Sequence, residues 1–195
     1  MANPRAGAAL TRLREQTAPS HARLEGRLGR FEWLESLDSY AGMLERLHRF
    51  YAHAERELAL GEAPLLAGLE LEQRRKAPLL AGDLASLGRA LPLTRRLHPV
   101  AGMPAMRSPG RALGCLYVLE GATLGGKVIE REVRRRLGLE RDGGTSFFGA
   151  YGSQVGARWR AFCEIVEREA RALDLAGMTV AAQQTFDALE GCLGA

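Results

Sequence analysis

From Leu10 onward, apolar residues recur at intervals of three and four, the spacing of helices that bury one face. Pro19-Ser20 punctuates the first such run, just before His21-Ala22-Arg23-Leu24-Glu25. Trp33, Leu37, Tyr40, Met43, Leu44, Leu47, Phe50 and Tyr51 predict a strongly amphipathic second helix, with Ser36 or Asp38 as its cap. Shorter helices are expected over Leu65 to Arg74 and Asp83 to Leu91, between breaks at Gly61, Pro64, Pro78 and Pro92. His98 to Gly110 reads as a loop, and Arg111 to Leu137 as one long helix closed by Gly138. After a turn over Asp142 to Thr145, Arg158 to Leu173 and Thr179 to Leu193 read as the last two helices. There is no strand-like alternation of useful length and no repeat of fixed period. The expected fold is all-α: one domain over residues 1–195, with residues 1–9 flexible.

Composition narrows this picture without changing it. A chain of 195 residues with 46% hydrophobic and 26% charged residues can bury a substantial single core. Apolar runs fall short of a membrane span, charges are expected to interrupt every helix-length window, and Met1 to Leu10 holds no signal-peptide core. No membrane association is expected, and cytoplasmic residence is the default. Cys115, Cys163 and Cys192 form no C-x-x-C and read as free thiols in a reducing compartment. The net charge is +4, almost all of it arginine, with Lys76 and Lys127 the two lysines. Because these arginines are scattered among glutamates at helical spacing, they describe a solvated face and do not favour nucleic acid. An anionic ligand or an acidic protein partner suits the charge.

Two local features carry candidate chemistry. Tyr117 to Ile129 has the rhythm of a buried helix, yet holds Gly121, Gly125 and Gly126 within six residues. Each interior glycine costs a helix roughly 0.5–1 kcal/mol relative to alanine. Something bulky must therefore approach the backbone: a crossing helix, which the pattern alone favours, or a flat ligand. The other feature is His21 with Glu25 four residues later, on the same helical face. A carboxylate accepting from Nδ1–H would leave Nε2 for a metal; a surface His–Glu pair is the alternative. His48, His53 and His98 have weaker claims. Glu45-x-x-His48 lacks the second copy and further carboxylates of a di-iron bundle, and no phosphate-binding or serine-nucleophile motif is present.

Leu13-Arg14-Glu15-x-Thr17-x3-His21-x2-Leu24-Glu25 resembles the proximal-helix signature of haem oxygenases. Tyr117-x2-Glu120-Gly121-x2-Leu124-Gly125-Gly126 resembles their distal helix, about a hundred residues later and in the right order. The likeness runs from about Leu10 to Leu193 and is nearest the bacterial branch that includes suppliers of biliverdin to bacteriophytochromes. It implies a multi-helix bundle with haem b between a proximal helix and a kinked distal one. O2 and electrons from an external reductase or ferredoxin would open the ring at a meso carbon to biliverdin, CO and ferrous iron, and a bacteriophytochrome is a candidate partner.

Carried over, the resemblance makes His21 the proximal iron ligand, oriented by Glu25. Gly121, Gly125 and Gly126 would press over the haem plane. Tyr117, Arg14 and Arg160 fall at propionate-contact positions, and Phe186 at an apolar contact with the macrocycle. One departure stands out: animal-type members carry an aspartate where this chain has Ala122, so Thr123 or a more distant polar group would have to hold water there. That departure keeps a non-catalytic haem-binding or haem-transfer protein as an alternative. A basic helical adaptor is the other, while a thiaminase-like enzyme would need a catalytic cysteine or paired carboxylates that the chain does not offer.

Overall fold

The computed structural model describes residues 7–60, 69–89, 91, 99–139, 143–170 and 174–194. These form six α-helices, with no strand among the described residues: α1 (Ala8–Leu28), α2 (Leu37–Leu60), α3 (Ala77–Ser86), α4 (Pro109–Leu137), α5 (Val155–Glu169) and α6 (Leu175–Gly194). Single 3₁₀ turns occur at Glu32–Leu34, Leu71–Arg74 and Gly152–Gln154.

The predicted stripe on α2 is buried from Tyr40 to Tyr51 and continues to Leu58. Its first member, Leu37, is exposed, and Trp33 lies in the preceding 3₁₀ turn, stacked on Tyr40 and Phe148. Ser36 caps α2 by accepting from the Ser39 amide at 3.1 Å, the role expected of it or of Asp38. At its far end α4 stops as expected, Gly138 taking φ 65°.

Some expectations are displaced. Pro19 does not interrupt α1, which runs through it and buries Leu13, Thr17, Ser20 and Leu24 on one side; packing on that side compensates for the lost backbone donor. The helix expected over Asp83 to Leu91 is α3, several residues earlier. Pro78 stands in its first turn, where a missing N–H costs nothing, and Gly88 at φ 72° follows its end. Of the Leu65 to Arg74 helix, Leu71–Arg74 is a 3₁₀ turn, and 65–68 lie outside the described residues, as do Gly61, Pro64, Pro92, His98 and Asp142. α1 begins at Ala8, within the segment expected to be flexible, and 1–6 lie outside the described residues.

Contrary to the charge-spacing argument, α4 contains a window long and apolar enough to cross a bilayer by composition. More than half of that window is buried, because α4 is the core helix: it packs chiefly on α6 and also on α5. α1 lies against the same two helices and barely touches α4. The two helices that carry the candidate chemistry are thus held apart by shared neighbours.

Candidate functional site

Thr17 on α1 and Tyr117 on α4 bridge the two helices, their hydroxyls within hydrogen-bonding reach, with Arg14 close by. Tyr117 is largely buried, and that burial pushes its hydroxyl above the usual phenol range. Its ring also meets Trp159 of α5 at 5.8 Å. Leu10, at the start of α1, takes a carboxylate oxygen of Glu167 near the end of α5 at 2.8 Å. α1 and α5 therefore run in opposite senses. α4 also runs against α5, since its Tyr117 neighbours both Cys163 and Trp159 and its Gly121 only Trp159. Both helices leave the Thr17–Tyr117 bridge in the same direction. His21 and Gly121 each stand one turn beyond it on their own helices.

On α1, His21 Nδ1 lies 3.3 Å from Glu25 Oε2, the pairing expected from the i,i+4 spacing. The imidazole is 55% exposed, and Nε2 has no protein partner among the described residues. Phe186 of α6 lies behind it, buried, with its ring edge-on at 5.9 Å. Arg23 fastens this stretch to α6 through Asp187 at 2.8 Å and Glu190 at 3.1 Å, and Arg27 donates to the Glu190 carbonyl at 3.0 Å.

On α4 the three glycines separate. A Cβ at Gly121 would make ordinary contact with the Trp159 ring at 3.7 Å, and one at Gly125 would meet nothing within 4 Å. Gly126 is different: it is buried, and a Cβ there would overlap the Phe148 carbonyl. Its missing side chain admits protein backbone, so Gly126 does not belong with the other two. The crossing helix that the pattern favoured is also found elsewhere. Gly114 lies against the Met178 carbonyl and Ala181 of α6, so the close helix–helix approach falls two turns before Gly121. Gly125 borders open space, and Gly121 sits at ordinary contact distance from the Trp159 ring.

The rest of that face is apolar and uncovered. Leu124 is 48% and Val128 68% exposed, both at helical spacing from Tyr117 and Gly121. Core helices rarely leave such surface bare unless something binds there. On α1, four residues past Thr17, His21 presents a half-exposed imidazole with Nδ1 beside the Glu25 carboxylate. The pairing of a nitrogen donor with a flat, side-chain-poor apolar wall fits a planar metal macrocycle. Of the other expected residues, Ala122 and Arg160 are exposed. Arg160 has a guanidinium nitrogen near Gly156 of its own helix. Thr123 points its hydroxyl at the Glu120 carbonyl, 2.7 Å away, and so is committed.

Behind α4 lies chemistry that the sequence reading missed. Glu120 is 1% exposed. Its Oε1 accepts from Lys76 Nζ at 2.6 Å and from the Tyr151 hydroxyl at 3.0 Å, while Oε2 pairs with Arg74 Nη1. The available signal was a lone charge within the apolar run of Leu116, Val118 and Leu119, together with one of just two lysines. Burial pulls the Lys76 ammonium below its usual range against the attraction of Glu120. A cavity of about 770 Å³ opens on this rear side, lined among others by His48, Glu55, Leu116 and Leu119. It is separate from the gap beside His21.

Residues 8–189 match the model of the family described as Heme oxygenase. A heme oxygenase of Xanthomonas campestris pv. campestris (strain 8004) is 35% identical over 164 residues, which cover 81% of this chain and 90% of that relative. Among solved structures, the NO- and CO-bound heme oxygenase from Neisseria meningitidis superposes with a TM-score of 0.78 at 21% identity, over 97% of this chain and 94% of that one. At such identity the likeness is one of fold.

Proposed function

The chain belongs to the haem oxygenase family, and from that premise we propose how its own residues serve the family's reaction, the O2- and electron-dependent opening of haem to biliverdin, CO and ferrous iron. The observation that carries the reading is the Thr17–Tyr117 contact between α1 and α4, with His21 and Gly121 each four residues further along. We take His21, with Nδ1 3.3 Å from Glu25, to face the Gly121–Gly125 stretch across a haem-sized gap.

Haem bound there supplies both the iron that activates O2 and the ring that is oxidised. His21 holds it through Nε2. Glu25 accepts the Nδ1 proton, which keeps the imidazole in the ligating tautomer and fixes its rotation. Phe186 backs the ring from α6. Gly121 and Gly125, lacking side chains, would let the α4 backbone lie close over a bound haem and leave little room on that side of it. Leu124 and Val128 cover the adjoining macrocycle and exclude water. Arg14 and Tyr117 meet the propionates at the rim, where a guanidinium and a phenol suit carboxylates. Arg160 belongs to the same rim, a role for which a turn toward the gap is needed. Ala122 offers no acid, and Thr123 is committed to a backbone carbonyl. Water held by backbone groups is the remaining proton carrier.

The family takes its electrons from a reductase. For this chain an acidic donor, a reductase or a ferredoxin, suits the net charge of +4. We assign the enzyme to the cytoplasm, as one folded unit over the whole chain, with its biliverdin supplied as chromophore to a bacteriophytochrome.

Haemin titration of the wild type and His21→Ala, followed by turnover with ascorbate, tests the site. The wild type should give a sharp Soret band that decays into biliverdin absorbance. His21→Ala should lose the axial-ligand signature and fall in turnover by at least about 100-fold, the scale expected when a metal ligand is removed. An unchanged Soret band in His21→Ala would place the iron elsewhere.

A further inference from the structure

The glycine-bearing turn of α4 is intrinsically soft, because glycine adds backbone freedom just where the front face has no packing. Its rear is held unusually firmly. Glu120 ties α4 to three other segments at once: to Arg74 in the 71–74 turn, to Lys76 at the start of α3, and to Tyr151 ahead of α5. Each partner is itself fixed. Arg74 Nε donates to the Leu69 carbonyl at 2.6 Å, Lys76 Nζ donates to the Arg74 carbonyl at 2.8 Å, and Glu55 of α2 accepts from the Lys76 and Ala77 amides at 2.6 and 3.1 Å. Nearly two turns along, Gly126 rests on the Phe148 carbonyl. The segment bearing that carbonyl is pinned by Asp83, which accepts from the Ser146 and Phe147 amides at 2.8 Å, and by the Tyr40 hydroxyl on the Gly144 carbonyl at 2.6 Å.

Burying one carboxylate with two cations is a poor way to gain stability, since well-packed apolar side chains of the same volume commonly do as well or better. What such a cluster gives is a single geometry: its hydrogen bonds close at one position of α4 and at no other. Gly121 follows Glu120 directly in the chain. Any movement of the Glu120 carboxylate is therefore passed to the backbone that borders the gap.

We propose that the buried Glu120–Arg74–Lys76–Tyr151 cluster is a positioning device that sets how far the Gly121–Gly125 face stands from the haem plane, and thereby determines which meso carbon is opened. The inference rests on haem lying between α1 and α4. Glu120 acts through the backbone of α4 and touches neither haem nor oxygen. Loosening the cluster lets the distal turn take more than one position, and regiochemical selectivity falls while ligation by His21 persists.

The test is a graded series, Tyr151→Phe, Lys76→Met and Glu120→Gln, each loaded with haem. Two readouts are the biliverdin isomer composition by chromatography and the C–O stretch of the carbon monoxide complex by infrared spectroscopy. Across the series the C–O band should split or broaden, and the ratio of minor to major isomer should rise by roughly tenfold at Glu120→Gln, with a smaller rise at Tyr151→Phe. Leu44→Ala, a core truncation in α2 eleven residues before Glu55, should lower thermal stability and leave both readouts unchanged. If Glu120→Gln does not fold, Tyr151→Phe, which removes a single oxygen, carries the test. A wild-type isomer ratio with a single unshifted C–O band, in a cluster variant that binds haem, would overturn the proposal. Failure of the haem-site reading is seen separately, as a Soret band that no longer depends on His21.

Discussion

α1 borders the gap with exposed, charged side chains, whereas α4 borders it with glycine and apolar side chains and keeps its charges behind. His21 and Glu25 are both open to solvent, and the ties of α1 to α6 near them (Arg23 to Asp187 and Glu190, Arg27 to a carbonyl) lie at the surface. Exposed ion pairs of this kind contribute about 0–1 kcal/mol each. α4 is secured instead by buried groups: the Glu120 cluster, Gly126 on a carbonyl, and Gly114 against α6. The difference has a chemical reason. On the proposed function the proximal wall would gain a bond to iron when haem arrives, and that bond would orient it. The distal wall makes no such bond, so its distance from the haem must already be built into the protein.

Filling the rear contacts should break that arrangement most severely. Gly126→Ala and Gly114→Ala each force a methyl group onto a backbone carbonyl and should cost about 1–3 kcal/mol, the usual penalty of overpacking, read from denaturant melts of the apoprotein. Gly125→Ala makes the contrast sharp. With nothing near its Cβ it should stabilise the apoprotein by about 0.5–1 kcal/mol through helix propensity, yet weaken haem binding in a titration, because the methyl enters the gap. Loss of stability without any effect on haem would show that Gly125 faces protein. Arg23→Ala, on the other wall, should change the melt by under about 1 kcal/mol and leave the Soret band in place.

The smallest effect is one of pH, at His53 of α2. Its Nδ1 accepts from the Val100 amide at 2.8 Å, which requires the neutral ring, and burial holds its pKa below the ordinary 6.5. On acidification the unfolded chain takes up this proton first. The stability that neutral His53 contributes is therefore complete above pH 6.5 and is lost as pH falls through the lower folded-state value. A pH series of melts should show that acid limb, flattened in His53→Asn. An identical limb in the variant would assign the loss to another group.

Much of this was legible before any coordinates. The α2 stripe, the long α4 with its Gly138 stop, and the His21–Glu25 pair all follow from spacing, because side chains three or four apart on a helix meet whatever surrounds them. The misplacements share one cause as well. By local pattern Pro19 and Pro78 read as interruptions, yet one sits inside a helix braced by its packing and the other opens a helix, where proline fits. The apolar weight of α4 was underestimated because its charges gather toward its end. Glu120 stood in plain view within the distal motif, but its partners lie 31 to 46 residues away, and spacing within one helix says nothing about them.

By itself, then, the amino-acid order determined the helices, the imidazole with its orienting carboxylate, and a glycine-rich notch that had to admit something close. Only the tertiary structure decided which glycine admits what: Gly114 a helix, Gly126 a carbonyl, Gly121 the edge of the Trp159 ring and Gly125 open space. The reason is that a glycine's neighbours across the fold come from segments distant in the chain, so its side of the helix is readable locally while the occupant of that side is not.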